Sequence, residues 1–444
     1  MIMKYYYLLF VTLSVFLLTG CTLIEPIETG DIEIETEAVT TTSATAATTT
    51  AKVTTTKQTT TVTTTAVTTT TKPEPPADLV LKGLDTVEAG DALTLEDFIT
   101  DRNVELKDDS ALLDTSNLGS FSVDVTYLYD GTEFTQTLQY QVVDTTKPYI
   151  INPGTNSYHK VGTDFDLNQY IGYADNFDKA PSITCDGEVD PETVGAYPLG
   201  ITVTDSSGNA CWWEMTVNVV EELPKSADTI PRVNYSDFIS RYEGDNVRFG
   251  IDVSTWQGDV DYNAVRDAGC SFVIIRVGYC YNEPKLDDCF RQNLKNAAAA
   301  GLDVGVYLYT TDNSEEGARE HARWIIEQLD GQKLDLPIVF DWEEFSHFQK
   351  YGMSIRDLND VYAAFADEVL KQGYKPMLYS SKIFLETIWS KTTKQSTPVW
   401  LAHYTGETTY EGEYAIWQQS AYGRIPGIAG DVDMNIQYLN QSLG

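Results

Sequence analysis

From Phe249 to the C-terminus the chain alternates short apolar runs with longer amphipathic stretches, and this alternation restricts the fold more than any other feature. "FGIDV", "FVIIRV", "DVGVYLY", "LPIVFD" and "PMLY" are rich in β-formers and too short to be buried helices. Between them, Tyr262–Ala268, Leu286–Ala300, Glu315–Leu329 and Ile355–Gln372 carry helical spacing, and a shorter helix is expected after Tyr379. Gly301 and Gly373 stand where two of those helices should stop. The tail adds strands near "VWLAHY", "YAIWQQS" and "VDMNIQY", with no room for full helices between them. Five strand–helix units and three bare strands make eight strands, which a parallel barrel closes most economically.

The C-terminal strand ends of such a barrel form its working face. The stretch "IVFDWEEF" places Asp341, Glu343 and Glu344 directly behind an apolar run. Residues i and i+2 of a strand point the same way, with Cα atoms about 6.6 Å apart. Asp341 and Glu343 therefore share a face, while Trp342 and Glu344 point away or into the following loop. Like charges in a partly dry cleft raise at least one pKa, which sets a proton donor beside an anion. Glycoside hydrolysis needs that pair. Taken alone, the stretch is equally a solvated strand end with surplus charge. Other strand ends add weight: Asp252 in "GIDVS", and Asp431 and Asp433 in "GDVDMNIQY". Tyr309, Tyr379, Trp400, Tyr404 and Trp417 cluster at the same ends, and aromatic rings suit the apolar faces of sugars.

The rest of the 444-residue chain divides by composition. Lys4 precedes an apolar stretch, Tyr5–Leu18, too short for a mature membrane span, which runs into "LTGC". This resembles a bacterial lipoprotein signal (1–20), with Cys21 lipidated and a membrane contact made through that lipid; a plain secretory signal is the alternative. Residues 21–75, dominated by Thr, cannot bury a core and are expected to form a disordered stalk. Two similar units follow, 76–144 and 145–222. "AGDALTLEDFI" matches "VGTDFDLNQYI", and "LGSFSVDVTY" matches "VGAYPLGITV". Their alternating apolar positions predict all-β sandwiches, and the second resembles the immunoglobulin-like repeats of bacterial surface proteins. Spacer and glycan-binding roles are both open for them. Trp212 and Trp213 are adjacent, so one should face the core and the other solvent. A linker, 223–247, precedes the last domain, 248–444.

A formal net charge of −36, from 66 acidic and 30 basic residues, argues against nucleic acid or an anionic membrane surface as an electrostatic partner. Export makes disulfides permissible, and Cys185 with Cys211, and Cys280 with Cys289, are candidate bridges. Cys270 reads as a core residue. His159, His321, His347 and His403 show no paired ligand spacing, so no metal is expected.

Four ordered motifs then carry a family resemblance: "GIDVSTWQGDVDYNAVRDAG", "PIVFDWEE", "WLAHYTGE" and "IWQQSAYGRIPGIAGDVDMN". Together they resemble glycoside hydrolase family 25, the Chalaropsis-type lysozymes, across the last domain. The resemblance implies a (β/α)5(β)3 TIM-like barrel that cleaves the β-1,4 bond between N-acetylmuramic acid and N-acetylglucosamine, without a cofactor. It implies Glu343 as acid and Asp341 as the partner that stabilises positive charge or orients the substrate acetamido group. Asp252 and Asp433 complete the acidic ring. Tyr379 and Trp400 fall where the family contacts sugar, and Tyr309, Tyr404, Trp417 and Asn435 join them as candidates. Two departures touch fine specificity: "VGVYLYT" lacks the His that many members carry after the Tyr, and Glu344 is an extra acid. Retaining, inverting and acetamido-assisted routes all stay open. The implied protein is a monomeric cell-surface enzyme whose partner is the glycan strand of peptidoglycan. Its rivals are a binding protein with an inactive barrel and an amidase or peptidase using a Cys–His pair, for which Cys270 is the unpaired thiol.

Overall fold

The computed structural model describes residues 85–98, 104–107, 112–129, 131–151, 154–225, 230–281 and 283–444. The expected signal, Cys21 and the Thr-rich stalk lie outside these residues. Among the described residues no helix is long and apolar enough to cross a membrane.

Eight strands form the last domain: β1 (Val247–Val253), β2 (Phe272–Cys280), β3 (Asp303–Thr310), β4 (Ile338–Trp342), β5 (Pro376–Ser381), β6 (Val399–Ala402), β7 (Ile416–Arg424) and β8 (Val432–Tyr438). Neighbours from β1 through β7 pair in parallel. β8 runs antiparallel to both β7 and β1 and closes the sheet into a barrel. Helices α1 (Tyr262–Asp267), α2 (Phe290–Ala300), α3 (Glu315–Leu329), α4 (Ile355–Lys371) and α5 (Lys382–Thr387) follow the first five strands in turn.

Alternation along each strand sorts side chains into two layers. Ile338, Phe340 and Trp342 of β4 pack outward against the helices, whereas Val339 joins Ile274, Met377, Tyr379, Trp400 and Ile416 in the lumen. Gly250 of β1 lies flat against the Phe272 ring, and a Cβ there would come within 2.4 Å of it. Helix α2 ends at Gly301 in the left-handed region (φ 81°), which glycine adopts without penalty. Its start is Phe290 rather than the expected Leu286, because Pro284–Leu286 pairs back onto β2 and Asp287 is drawn to Arg276.

Two similar four-stranded sheets precede the barrel. In the first, Thr86–Glu88, Thr132–Val143, Gly119–Tyr129 and Val104–Leu106 lie side by side in that order. In the second, Asn156–Lys160, Ala210–Val220, Gly195–Thr204 and Ser182–Asp186 repeat it, and a ribbon of Tyr149–Ile151 with Gly172–Ala174 is added. Of the matched sequence segments, "LGSFSVDVTY" and "VGAYPLGITV" become equivalent strands, and "AGDALTLEDFI" and "VGTDFDLNQYI" each carry a short 3-10 helix, Leu95–Phe98 and Leu167–Gln169. In the second sheet Trp213 packs into the core, and Trp212 is 61% exposed. Within the expected linker, Val233–Asn234 pairs with β7 and the helix Tyr235–Tyr242 buries Tyr235 and Phe238 against the barrel.

The modules and barrel belong to one compact unit. The second module sits on the segment joining β4 to α4. Gly172 lies so close to Ser346 that a Cβ would stand 2.6 Å from its Cα. Gln349 Nε2 donates to the Tyr173 carbonyl (2.8 Å), the Ile355 amide to the Asp175 carbonyl (2.8 Å), and Lys179 pairs with Asp357 (2.8 Å).

Candidate active site

The lumen turns polar at the C-terminal strand ends. Asp341 of β4 and Asp252 of β1 face inward, with Asp433 of β8 directly opposite Asp252 in the ladder. Glu343 follows one residue past the end of β4. Asp252 Oδ2 accepts from Gln418 Nε2 (3.0 Å) and Asn435 Nδ2 (2.8 Å). Gln418 Oε1 in turn accepts from the hydroxyls of Tyr379 and Tyr404, each at 2.8 Å. Trp400 Nε1 donates to Asn435 Oδ1 (2.8 Å). One network therefore ties β1, β5, β6, β7 and β8 around a carboxylate.

Burial lifts the acids. Asp252 is pushed up to about 6, although the Asn435 and Gln418 amides pull the other way. Asp433 is held well above the usual range by burial and by the charge of Asp252, with which it shares a hydrogen bond. Asp341 is also held well above it, by burial and then by the charges of Glu343 and Asp252, and Arg276 opposes them. The Oδ1 of Asp341 is enclosed without a hydrogen-bond partner. Glu343 rises to about 7 through burial and the charges of Glu344 and Asp252. Glu344 is the exception: His347 (3.1 Å) and the Tyr309 hydroxyl (3.2 Å) hold it below its ordinary value. The arrangement can keep a carboxylic proton near neutrality beside groups that ionise in turn.

The glycosyl hydrolases family 25 profile matches residues 251–428, a span that carries Asp252, Asp341, Glu343, Tyr379, Trp400, Tyr404 and Gln418 and ends before Asp433 and Asn435. Lysozyme M1 of Streptomyces globisporus is 32% identical over 201 residues, which cover 42% of this chain and 66% of that protein. The autolytic lysozyme of Clostridium acetobutylicum is 30% identical over 189 residues, covering 42% and 54%. Protein YegX of Escherichia coli K12, uncharacterised, is 30% identical over 193 residues, covering 42% and 68%. The chain belongs to glycosyl hydrolases family 25. It spans less than two thirds of the length of the two lysozymes. A bacterial surface protein Ig-like domain profile also matches residues 151–219, the second module.

Within this family 25 domain, Asp252, Asp341, Glu343, Asp433, Tyr309, Tyr379 and Tyr404 gather at one mouth. Trp417 does not. It alternates with Ile416 and Gln418 and so points outward, packing on Tyr242 and donating to the His403 carbonyl (2.8 Å). Trp400 and Asn435 are 2% and 0% exposed, so they brace the floor and offer no free face. Gln418, the hub, was not singled out, although its spacing from Ile416 places it inward. Arg276 was also missed: Asp287 grips it from a residue eleven positions on (2.7 Å).

The expected disulfides are absent, and all five described cysteines are free thiols. Cys185 and Cys211 sit on strands separated by Gly195–Thr204. Cys280 turns to His321 Nε2 (3.4 Å), and Cys289 caps α2 beside Thr255. His321 Nδ1 bonds Asp312 (2.6 Å); burial opposes its charge, but Asp312 and Cys280 hold its pKa at about 10. This Cys–His–Asp set lies between β2 and α3, apart from the lumen. Cys270 is buried with its thiol on the Phe272 carbonyl and its pKa pushed up to about 11, chiefly by burial.

Proposed function

We propose that this protein is a muramidase that hydrolyses the β-1,4 bond between N-acetylmuramic acid and N-acetylglucosamine in peptidoglycan. The observation that carries the reading is Glu343, whose pKa stands at about 7 beside the buried, raised Asp341. Glu343 gives its proton to the glycosidic oxygen as the bond from the muramic C1 breaks. Asp341 stabilises the positive charge that develops on the sugar, or orients the acetamido group. Water then supplies the hydroxyl at C1, and its proton returns to a carboxylate. Asp252, set by Gln418 and Asn435 and paired with Asp433, keeps the ring acidic. Tyr309, Tyr379 and Tyr404 supply ring faces and hydroxyls at the mouth. Exposed Trp256 and Tyr281 at the same rim extend that surface.

The protein acts at the cell surface as a monomer, held by a lipid on Cys21 and carried off the membrane by the Thr-rich stalk and the two immunoglobulin-like modules, with the catalytic domain folded as (β/α)5(β)3. The full chain and its Glu343→Gln variant, incubated with purified peptidoglycan, test the chemistry. New reducing ends on N-acetylmuramic acid, lost at least 100-fold in the variant (~2.7 kcal/mol of barrier), are the expected result in mass spectra of reduced fragments. Ends on N-acetylglucosamine would overturn the bond assignment. No fragments from several walls would leave a glycan-binding barrel instead.

A further inference from the structure

Three carboxylates outside the lumen meet where the two modules join the barrel. Asp144 directly follows the last strand of the first module, Thr132–Val143. Asp175 follows Gly172–Ala174, and Asp205 follows Gly195–Thr204, both in the second module. They are 7%, 0% and 6% exposed, and one oxygen from each lies within 4.8 Å of the others. The Oδ1 of Asp175 is enclosed without a hydrogen-bond partner. Both oxygens of Asp144 are enclosed with the Ser207 side chain and the Thr146 amide nearby, neither of them within hydrogen-bond distance.

The remaining oxygens are used to hold the side chains in place. Asp175 Oδ2 accepts from the amides of Phe177 (2.9 Å) and Asp178 (2.7 Å). Asp205 accepts from the Asn209 amide (2.8 Å) and from Asn209 Nδ2 (2.9 Å), which also donates to the Asp144 carbonyl (3.0 Å). Asp144 and Asp175 thus bring spare oxygens, and Asp205 the second lone pairs of its bonded oxygens, to one dry point. Buried carboxylates left in this state repel one another and lose hydration, a cost normally met by pairing or by a cation.

We propose that Asp144, Asp175 and Asp205 bind a calcium ion that fastens the two modules to each other. The donors are all hard oxygens, which suits Ca²⁺ or Mg²⁺ and not a thiophilic metal. Calcium binds oxygens at about 2.3–2.6 Å in irregular shells, so donors up to about 5 Å apart can share it. Magnesium demands near-octahedral ligands at about 2.0–2.1 Å, which three acids from three separate segments are poorly placed to give. Calcium sites in extracellular modules have dissociation constants of about 10⁻⁴–10⁻³ M, which sets the concentration range of the test. The site also reaches the barrel. The Asp175 and Asn176 carbonyls accept from the amides of Ile355 (2.8 Å) and Arg356 (3.2 Å) at the start of α4. The proposal is independent of the muramidase reading.

The test uses the full chain, stripped with EGTA and titrated with CaCl2 or MgCl2. Calorimetry should show one calcium per chain, and about 10 mM CaCl2 should raise the melting temperature by about 5 °C or more. Asp144→Asn and Asp205→Asn should melt in EGTA no lower than the parent and lose the calcium response. Absence of binding to the parent overturns the proposal, as does an equal response in the variants. A magnesium response as large as the calcium one overturns the assignment of the ion.

Discussion

At the residue scale the site is governed by how many charges the lumen holds at once. Glu344 stays ionised because His347 and Tyr309 support it, and its charge helps to lift Glu343 to about 7. Glu344→Gln removes that charge, so Glu343 should release its proton at lower pH. The alkaline limb of kcat/KM, set by the acid in the free enzyme, should move down by up to about one unit. An unmoved limb would show that Glu344 does not act on Glu343. Asp433 makes the opposite test, on stability. Asp252 and Asp433 both have folded pKa values above their unfolded ones near 3.9. The folded chain therefore holds extra protons; the Asp252 contribution is present below about pH 4 and lost as pH rises through about 6, and that of Asp433 is lost at higher pH as well. As pH rises, ionising both members of the pair is opposed by burial and by their mutual repulsion. Asp433→Asn should raise the melting temperature by a few degrees at pH 8, change it little at pH 4, and lower activity. Equal shifts at both pH values would contradict the shared-proton account.

At the element scale, strand parity explains what could be read from the sequence and what could not. The eight strands were legible as short apolar runs, and α3 begins and ends where its spacing placed it, Glu315–Leu329. The i, i+2 relation of Asp341 and Glu343 needed only the pleat. Trp417 lies outside the mouth because strand parity, which the neighbouring lumen-facing Ile416 fixes, turns it outward onto Tyr242. The Arg276–Asp287 grip, the Gln418 hub and the Asp144–Asp175–Asp205 cluster join segments far apart in the chain, so local pattern carries no trace of them. The seat of the second module was hidden for the same reason. Gly172 allows the Gly172–Ala174 ribbon to touch Ser346, two residues past Glu344 on the same loop. Gly172→Val should wedge the two apart. The expected outcome is faster proteolysis between residues 344 and 354 and a several-fold fall in kcat, with the melting of the barrel core little changed. Unaltered proteolysis would mean that the loop holds its shape without the module.

At the scale of the whole molecule the governing quantity is the formal net charge of −36. Peptidoglycan that carries anionic polymers repels such a surface, so long-range attraction cannot recruit the enzyme as it recruits a basic one. Screening should then help. The Debye length falls from about 30 Å at 0.01 M salt to about 8 Å at 0.15 M. Over that range, hydrolysis of polymer-bearing walls should quicken several-fold through KM, while kcat on the same walls stays constant. Walls stripped of their anionic polymers should show a much smaller gain. A basic muramidase would slow over the same range, so the sign of the salt response separates the two modes of recruitment. If activity on polymer-bearing walls falls with salt, a local positive patch steers the enzyme despite its net charge. The few cations near the barrel mouth, Arg232 and Arg424 beside Asp431, would be the first to replace. If it rises, contact with the wall must come from tethering and not from charge. Full-length protein should then partition with detergent, and Cys21→Ala protein should wash free of cells.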